Sequence, residues 1–234
     1  MKVGVLVFPG SWSHDDFLWV FREVLGVAAE PVWHKATSVA GFDALVLPGG
    51  FAHGDYLRAG AIARFSPVMP AVRRFAEAGG PVLGSCNGFQ ILCEAGLLPG
   101  ALLRNDSLQY RCQWVHLRVE NPDTAFTPGA HRGQVLAMPI SHGEGRYVAD
   151  PGTLRAMNDR GQIVLRYSAP DGRLVNAANP NGSLDHVAGI VSERGNVFGL
   201  MPHPERAAEA ALGGTDGLAM LGALAAERQP APAR

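Results

Sequence analysis

Apolar and polar positions along this 234-residue chain fall into two regimes. In the first half, short apolar runs alternate with longer amphipathic stretches. Val3–Phe8 is apolar throughout and ends in Pro9-Gly10, the pattern of a strand buried on both faces. Asp15–Leu25 then sets Phe17, Val20, Phe21, Val24 and Leu25 at helical spacing, with Gly26 as a stop. Ala44–Leu47 reads as a second buried strand closed by Pro48-Gly49-Gly50, and Pro67–Ala78 as a helix ending at Gly79-Gly80. Pro81–Ser85 is a third apolar run, followed by a short helix over Gly88–Ala95. Strand, crossover, strand predicts an α/β fold with a doubly wound, mostly parallel sheet and function at the carboxyl ends of its strands.

The second half changes to strands separated by turns. Cys112–Glu120, Gln134–Ile140, Ile163–Ser168, Val187–Ser192 and Asn196–Leu200 are predicted strands, which adds β-hairpin elements to the sheet. Gly217–Glu227 is predicted as a terminal helix and Gln229–Arg234 as a frayed tail. No internal repeat, linker or charge run divides the chain, so residues 1–228 are expected to form a single domain, with 229–234 a disordered tail.

Composition narrows the function. Apolar residues at 47% supply a sizeable core, which argues against disorder. A formal net charge of −1 leaves no electrostatic footprint for nucleic acid or an anionic membrane. The N-terminal apolar run is too short for a signal peptide, and no run approaches the roughly 18 residues of a membrane span, so a soluble cytoplasmic protein is expected. The three cysteines, Cys86, Cys93 and Cys112, form neither a disulfide framework nor a C-x-x-C pair. Cys93 and Cys112 read as small buried hydrophobes. No metal site is expected, because His142 and Glu144 lack a third ligand at recognisable spacing.

Three motifs carry chemistry. Gly84-Ser85-Cys86-Asn87-Gly88 joins a buried strand to a helix, the nucleophile-elbow arrangement with Cys as the nucleophile. Its glycines permit a sharp turn, and the positive end of the helix favours the thiolate. His203-Pro204-Glu205 follows the strand Asn196–Leu200; Pro204 holds His203 extended, so Glu205 projects to the same side and can orient the imidazole. Pro48-Gly49-Gly50-Phe51 closes the Ala44–Leu47 strand beside the elbow. There the N–H groups of Gly50 and Asn87 can form an oxyanion hole. No G-x-x-x-x-G-K-[ST] loop is present, so an ATP site is not expected on this chain.

Together these pieces resemble the class I, triad-type glutamine amidotransferases of flavodoxin-like fold. Gly49-Gly50-Phe51-Ala52-His53-Gly54-Asp55-Tyr56-Leu57-Arg58-Ala59-Gly60, Cys86-Asn87-Gly88-Phe89-Gln90 and Pro139-Ile140-Ser141-His142-Gly143-Glu144-Gly145-Arg146 resemble, more narrowly, the glutaminase subunits of phosphoribosylformylglycinamidine synthase. So do Asn179-Pro180-Asn181-Gly182-Ser183 and Gly199-Leu200-Met201-Pro202-His203-Pro204-Glu205-Arg206. The resemblance implies Cys86 as nucleophile, His203 as general acid/base and Glu205 as its orienter. It places Gly49 and Gln90 at the glutamine. His142 and Glu144 suit a substrate loop, a synthetase interface or a structural hairpin. The implied partners are a large synthetase subunit, which would hold ATP and Mg, and a small third subunit; this chain would need no cofactor. Two departures from the family pattern stand out: Trp12-Ser13-His14, where an Asn-Cys pair is usual, and Ala52-His53, where Ser-Tyr is commoner. Competing readings are a glutaminase for another synthetase, a redox-sensing module with one reactive Cys, and a cysteine peptidase. The His-x-Glu pair counts against the redox module.

Overall fold

The apolar runs of both halves meet in one sheet. The computed structural model describes residues 1–225. In chain order its strands are β1 (Lys2–Val7), β2 (Ala28–Trp33), β3 (Ala44–Leu47), β4 (Val82–Ser85), β5 (Ala101–Leu103), β6 (Arg111–Val119), β7 (Val135–His142), β8 (Arg146–Val148), β9 (Ile163–Ser168), β10 (Val187–Val191) and β11 (Val197–Leu200). Its α-helices are α1 (His14–Trp19), α2 (Met69–Glu77), α3 (Asn87–Glu94), α4 (Pro151–Asp159) and α5 (Leu218–Ala225).

The nine-stranded sheet has the order β2-β1-β3-β4-β11-β10-β9-β6-β7. The first five strands pair in parallel, and the remaining four extend the sheet in antiparallel fashion. The parallel core is as expected, and the antiparallel half is where the predicted hairpin elements went. Strands β5 and β8 form a separate two-stranded sheet.

Side chains alternate across the parallel core, and helices cover both faces. Val3, Val5, Val46 and Leu83 face a cluster that includes Phe17 and Phe21, with Leu221 and Leu224 of α5. Leu6, Leu45, Leu47 and Val82 face the opposite cluster, with Val72 of α2 and Phe89 and Ile91 of α3. Helix α1 continues as a π-helical turn over Val20–Val24 and ends before Gly26, whose φ is +65°. Among the described residues, no helix is long and apolar enough to cross a membrane.

Two elements depart from the expected pattern. Strand β2 was not expected, because Glu30 and Pro31 interrupt it and only Ala29 and Val32 are buried. As an edge strand it tolerates a proline without losing a ladder bond. Helix α4 was also missed, although Asp150 caps it by accepting hydrogen bonds from the N–H groups of Gly152 (2.9 Å) and Thr153 (3.0 Å), with Pro151 in the first turn. Cys93 is buried as expected. Cys112 is exposed instead, because β6 overhangs its neighbour β9, whose pairing begins only at His116. The expected tail Gln229–Arg234 and the end of the helix expected over Gly217–Glu227 lie outside the described residues.

The register of the parallel strands brings three loops to one edge of the sheet. Leu47 of β3 pairs with Gly84 of β4, and Ser85 pairs with Leu200 of β11, so the three strands end at one level. Helix α3 then crosses β3 so closely that a Cβ at Gly88 would lie 1.9 Å from the Leu47 carbonyl oxygen. Gly88→Ala must therefore separate helix from strand, and is expected to cost about 1–3 kcal/mol or more. Urea unfolding of the purified chain checks this; an unchanged midpoint would refute the tight approach.

Candidate active site

Three loops leave the carboxyl ends of β3, β4 and β11 and converge. On the middle one, Cys86 sits between β4 and α3 with φ +51° and ψ −108°. This is a left-handed conformation for a non-glycine residue, with a strain of about 1–3 kcal/mol. The packing leaves no alternative: its N–H donates to Leu200 O (2.8 Å), and a Cβ at Gly84 would strike Leu92 Cδ1 at 2.5 Å. The thiol is buried, and Sγ lies 3.6 Å from the Ser141 carbonyl oxygen of β7.

His203 enters from the loop after β11, with its N–H donated to Pro139 O at 2.9 Å. Its φ of −104° and ψ of +90° are extended, as the following proline requires. His203 Nδ1 lies 2.6 Å from Glu205 Oε1, and both side chains are about 1% exposed. Nε2 of His203 has no hydrogen-bond partner. Burial alone would push the imidazole pKa down. The Glu205 carboxylate and the charge at Cys86 outweigh that and raise it to about 10. Ser85, next to the nucleophile candidate, braces the carboxylate: its hydroxyl is 3.1 Å from Pro202 O and 3.4 Å from Glu205 Oε2. Sequence reasoning passed over Ser85, since nothing local marks a residue that faces a loop 120 positions away.

Gly49 completes the convergence. A Cβ there would lie 2.7 Å from His203 Cε1 and 3.4 Å from Cys86 Cβ, so only glycine fits between them. Its N–H donates to the buried Ser13 hydroxyl at 2.8 Å, and its carbonyl accepts from the N–H groups of Trp12 (3.2 Å) and Ser13 (3.3 Å). The departure at Trp12-Ser13-His14 thus supplies the anchor of the Gly49 loop. Trp12 itself lies under the Arg206 guanidinium, 4.4 Å from the ring centroid. At the second departure, His53 takes a φ of +55° and sets its ring edge-on to His34 at 5.3 Å. Gly50 forms an antiparallel bridge with Ser11. Because the peptide is trans, its N–H points opposite to the Gly49 carbonyl, away from the Trp12–Ser13 segment.

A cavity of about 190 Å³ opens at these residues, lined by Gly50, Cys86 and Gln90 together with Asp55, Tyr110 and the Ser141–Glu144 turn. Gln90 is held at both ends of its amide. Oε1 accepts from Asn87 Nδ2 (2.8 Å), and Nε2 donates to Glu144 O (2.5 Å). The Asn87 side chain in turn accepts from Ala52 N at 3.1 Å. The structure therefore brings Cys86, His203, Glu205, Gly49, Gly50, Asn87, Gln90, His142 and Glu144 to one end of the sheet. It adds Asp55 and Tyr110, which the sequence pattern did not single out; Asp55 lies within a family-like motif, and Tyr110 carries no signal. Among the described residues, no group of three or more His, Cys, Asp or Glu side chains could hold a metal ion.

The class follows from this sheet together with a family model, described as the CobB/CobQ-like glutamine amidotransferase domain, that matches residues 1–213. A protein of Moorella thermoacetica named phosphoribosylformylglycinamidine synthase subunit PurQ is 57% identical over 96% of this chain and 95% of its own length. A protein of the same name from Koribacter versatilis is 55% identical over 96% of this chain and 99% of its own. A solved structure of PurLQS from Thermotoga maritima contains a chain that superposes with a TM-score of 0.84 at 40% identity, over 95% of this chain and 96% of that one. This chain belongs to the PurQ family of glutamine amidotransferases.

The buried His203–Glu205 pair gives stability a pH signature. The folded-state pKa of His203 lies above the unfolded value near 6.5, so the pair contributes fully below about pH 6.5 and its contribution is lost as pH rises toward about 10. Glu205→Gln should destabilise the fold most at pH 6, with a penalty that shrinks steadily up to pH 10. Urea unfolding across that range is the measurement, and a pH-independent penalty would contradict a charged imidazole.

Proposed function

We infer that this chain is the glutaminase subunit of phosphoribosylformylglycinamidine synthase, an amidotransferase of purine biosynthesis, and that it works with a large synthetase subunit and a small third subunit. The observation that carries the reading is the buried, charge-raised His203 held by Glu205 beside the strained Cys86, in a chain 57% identical to a named PurQ over almost its whole length. Residues 1–228 are read as one amidotransferase domain acting in the cytoplasm. The chain itself uses no cofactor, and ATP and Mg are assigned to the synthetase partner.

The chemistry follows from the site. The Cys86 thiolate attacks the side-chain amide carbon of glutamine, and the developing oxyanion accepts hydrogen bonds from the N–H groups of Gly50 and Asn87, each worth about 10²–10³ in rate. The His203 imidazolium gives its proton to the departing nitrogen, which leaves as ammonia and yields a γ-glutamyl thioester. His203, now neutral, takes a proton from water as the water attacks the thioester carbon. The C–S bond then breaks, releasing glutamate and returning the Cys86 thiolate beside the His203 imidazolium. Gly49 lets the substrate carbonyl approach both groups, and Gln90 braces the floor between Asn87 and Glu144. The ammonia passes to the synthetase, which converts formylglycinamide ribonucleotide to formylglycinamidine ribonucleotide. The cavity is smaller than the roughly 300–1,000 Å³ of a drug-sized pocket, which suits one amino acid and argues against a peptidase.

Two outcomes test this. Cys86→Ala in the assembled complex should abolish glutamine-dependent synthesis and leave ammonia-dependent synthesis intact, because free ammonia enters after the thioester step. Glutamine use above about 1% of wild type would refute the nucleophile; that threshold corresponds to a loss of about 2.7 kcal/mol of barrier lowering. The second outcome concerns partner dependence. His53, Asp55 and Leu57 all take positive φ in the loop beside the cavity, where Tyr56 and Leu57 are largely exposed. A partner seated on this loop would settle it. Steady-state assays should show glutaminase kcat/KM rising by about tenfold or more on adding the synthetase and the small subunit; full activity of the isolated chain would overturn the dependence.

A further inference from the structure

A second cavity lies in the groove between α2, the end of α3 and the turn Ala63–Phe65. Its volume is about 420 Å³, and it shares no lining residue with the cavity at Cys86. That size falls within the roughly 300–1,000 Å³ of sites that hold a small molecule. Arg64, Arg73 and Arg74 line it, and Glu94 is the one carboxylate among the described lining residues.

The charge in this groove is unbalanced. Glu94 is committed to Arg58, which is not part of the lining and holds it through two bonds, Nε to Oε1 at 2.5 Å and Nη2 to Oε2 at 2.8 Å. The Glu94 side chain is only 8% exposed, so the pair forms a fixed floor. Arg64 donates from Nη1 to the Glu94 carbonyl at 3.2 Å, and the same nitrogen lies 3.8 Å from Oε2. Arg73 donates from Nη2 to the Ala95 carbonyl. These two bonds cap the C-terminal end of α3, whose partial negative charge offsets about half of one guanidinium. Each cap uses one nitrogen and leaves most of a five-donor fork for another acceptor. The Arg74 side chain has no hydrogen bond or ion pair among the described residues. Three guanidiniums thus share one groove with no carboxylate of their own, in a chain whose formal net charge is −1. Like charges gathered in this way repel, and an anion between them relieves the repulsion.

Apolar surface adjoins the cations. Phe65 is 73% exposed although the Arg64 guanidinium lies 4.5 Å from its ring centroid, and Pro70 and Leu97 add to the lining. An exposed aromatic ring beside guanidiniums is a surface on which planar bases stack. An acidic peptide would answer the charges and leave the ring uncovered.

We propose that this groove binds a nucleoside monophosphate, with the phosphate among the guanidiniums of Arg64, Arg73 and Arg74 and the base on the Phe65 ring. A phosphate dianion matches planar guanidinium forks and supplies the charge that the groove lacks. Inorganic phosphate would satisfy the arginines and gain nothing from Phe65, whereas a nucleoside would gain only the ring. One molecule that carries both parts uses the whole groove.

The test is calorimetric titration of the purified full chain with AMP, adenosine and inorganic phosphate at low ionic strength, where exposed charges are least screened. AMP should bind one to one and at least tenfold more tightly than either fragment. Arg74→Glu should weaken AMP by about tenfold or more; because this side chain makes no bond in the fold, the thermal midpoint of the unliganded variant should match wild type. Phe65→Ala should bring AMP down to the affinity of phosphate and leave phosphate within about twofold. No saturable AMP binding, or unchanged binding in Arg74→Glu, would overturn the site. Equal affinities of AMP and phosphate for the wild-type chain would overturn the nucleoside and leave a bare anion patch. AMP binding that disappears when the synthetase and the small subunit are added would overturn the ligand site in favour of a surface that a partner chain covers.

Discussion

The site depends on one constraint, the register of three parallel strands. Leu47, Ser85 and Leu200 end at the same level because β4 hydrogen-bonds to β3 on one side and β11 on the other. The loops that leave these strands have nowhere to go but toward one another. Their approach is close enough that glycine is required wherever they touch: at Gly88 against the Leu47 carbonyl, and at Gly49 between His203 and Cys86. The strain at Cys86 persists because the elbow is held from both ends, by the Leu200 carbonyl behind it and by α3 packed on β3 ahead of it.

Two buried histidines at this end of the sheet take opposite charge states, and their partners decide which. His203 has a carboxylate 2.6 Å from Nδ1, and that charge overcomes the cost of burial. His142 has the side-chain amide of Asn105 at the same position, so burial prevails and the ring is neutral. One imidazole is thereby charged and the other neutral within one small region. The antiparallel half of the sheet is what brings the second one there, since β7 carries Ser141 and His142 to the thiol at its carboxyl end. The added strands are therefore part of the site and not merely an extension of the scaffold.

Much of this was legible in the chain. Val3–Phe8, Ala44–Leu47 and Pro81–Ser85 are apolar without interruption because both faces of those strands are covered, and the glycines around Cys86 mark a turn too tight for side chains. His203-Pro204-Glu205 showed its pairing because proline enforces an extended backbone and a two-residue spacing. Strand β2 was hidden because an edge strand buries little, and its Glu30 and Pro31 look like a loop. Cys112 was misread because the overhang of β6 past β9 depends on strand lengths that no local pattern reveals.

The sequence by itself determined the class of fold, the nucleophile elbow and the His-x-Glu pair, because each is written in residues close together, where backbone sterics and side-chain periodicity act directly. Only the tertiary structure decided which carboxylates face the thiol, how His142 is protonated, and that Ser13 anchors Gly49. Those properties arise between residues 32 to 120 positions apart, as in the Asn87–Asp55 and Ser85–Glu205 contacts. A hydrogen bond or a desolvation cost exists only once packing has brought the two groups together, so no reading along the chain could have supplied them.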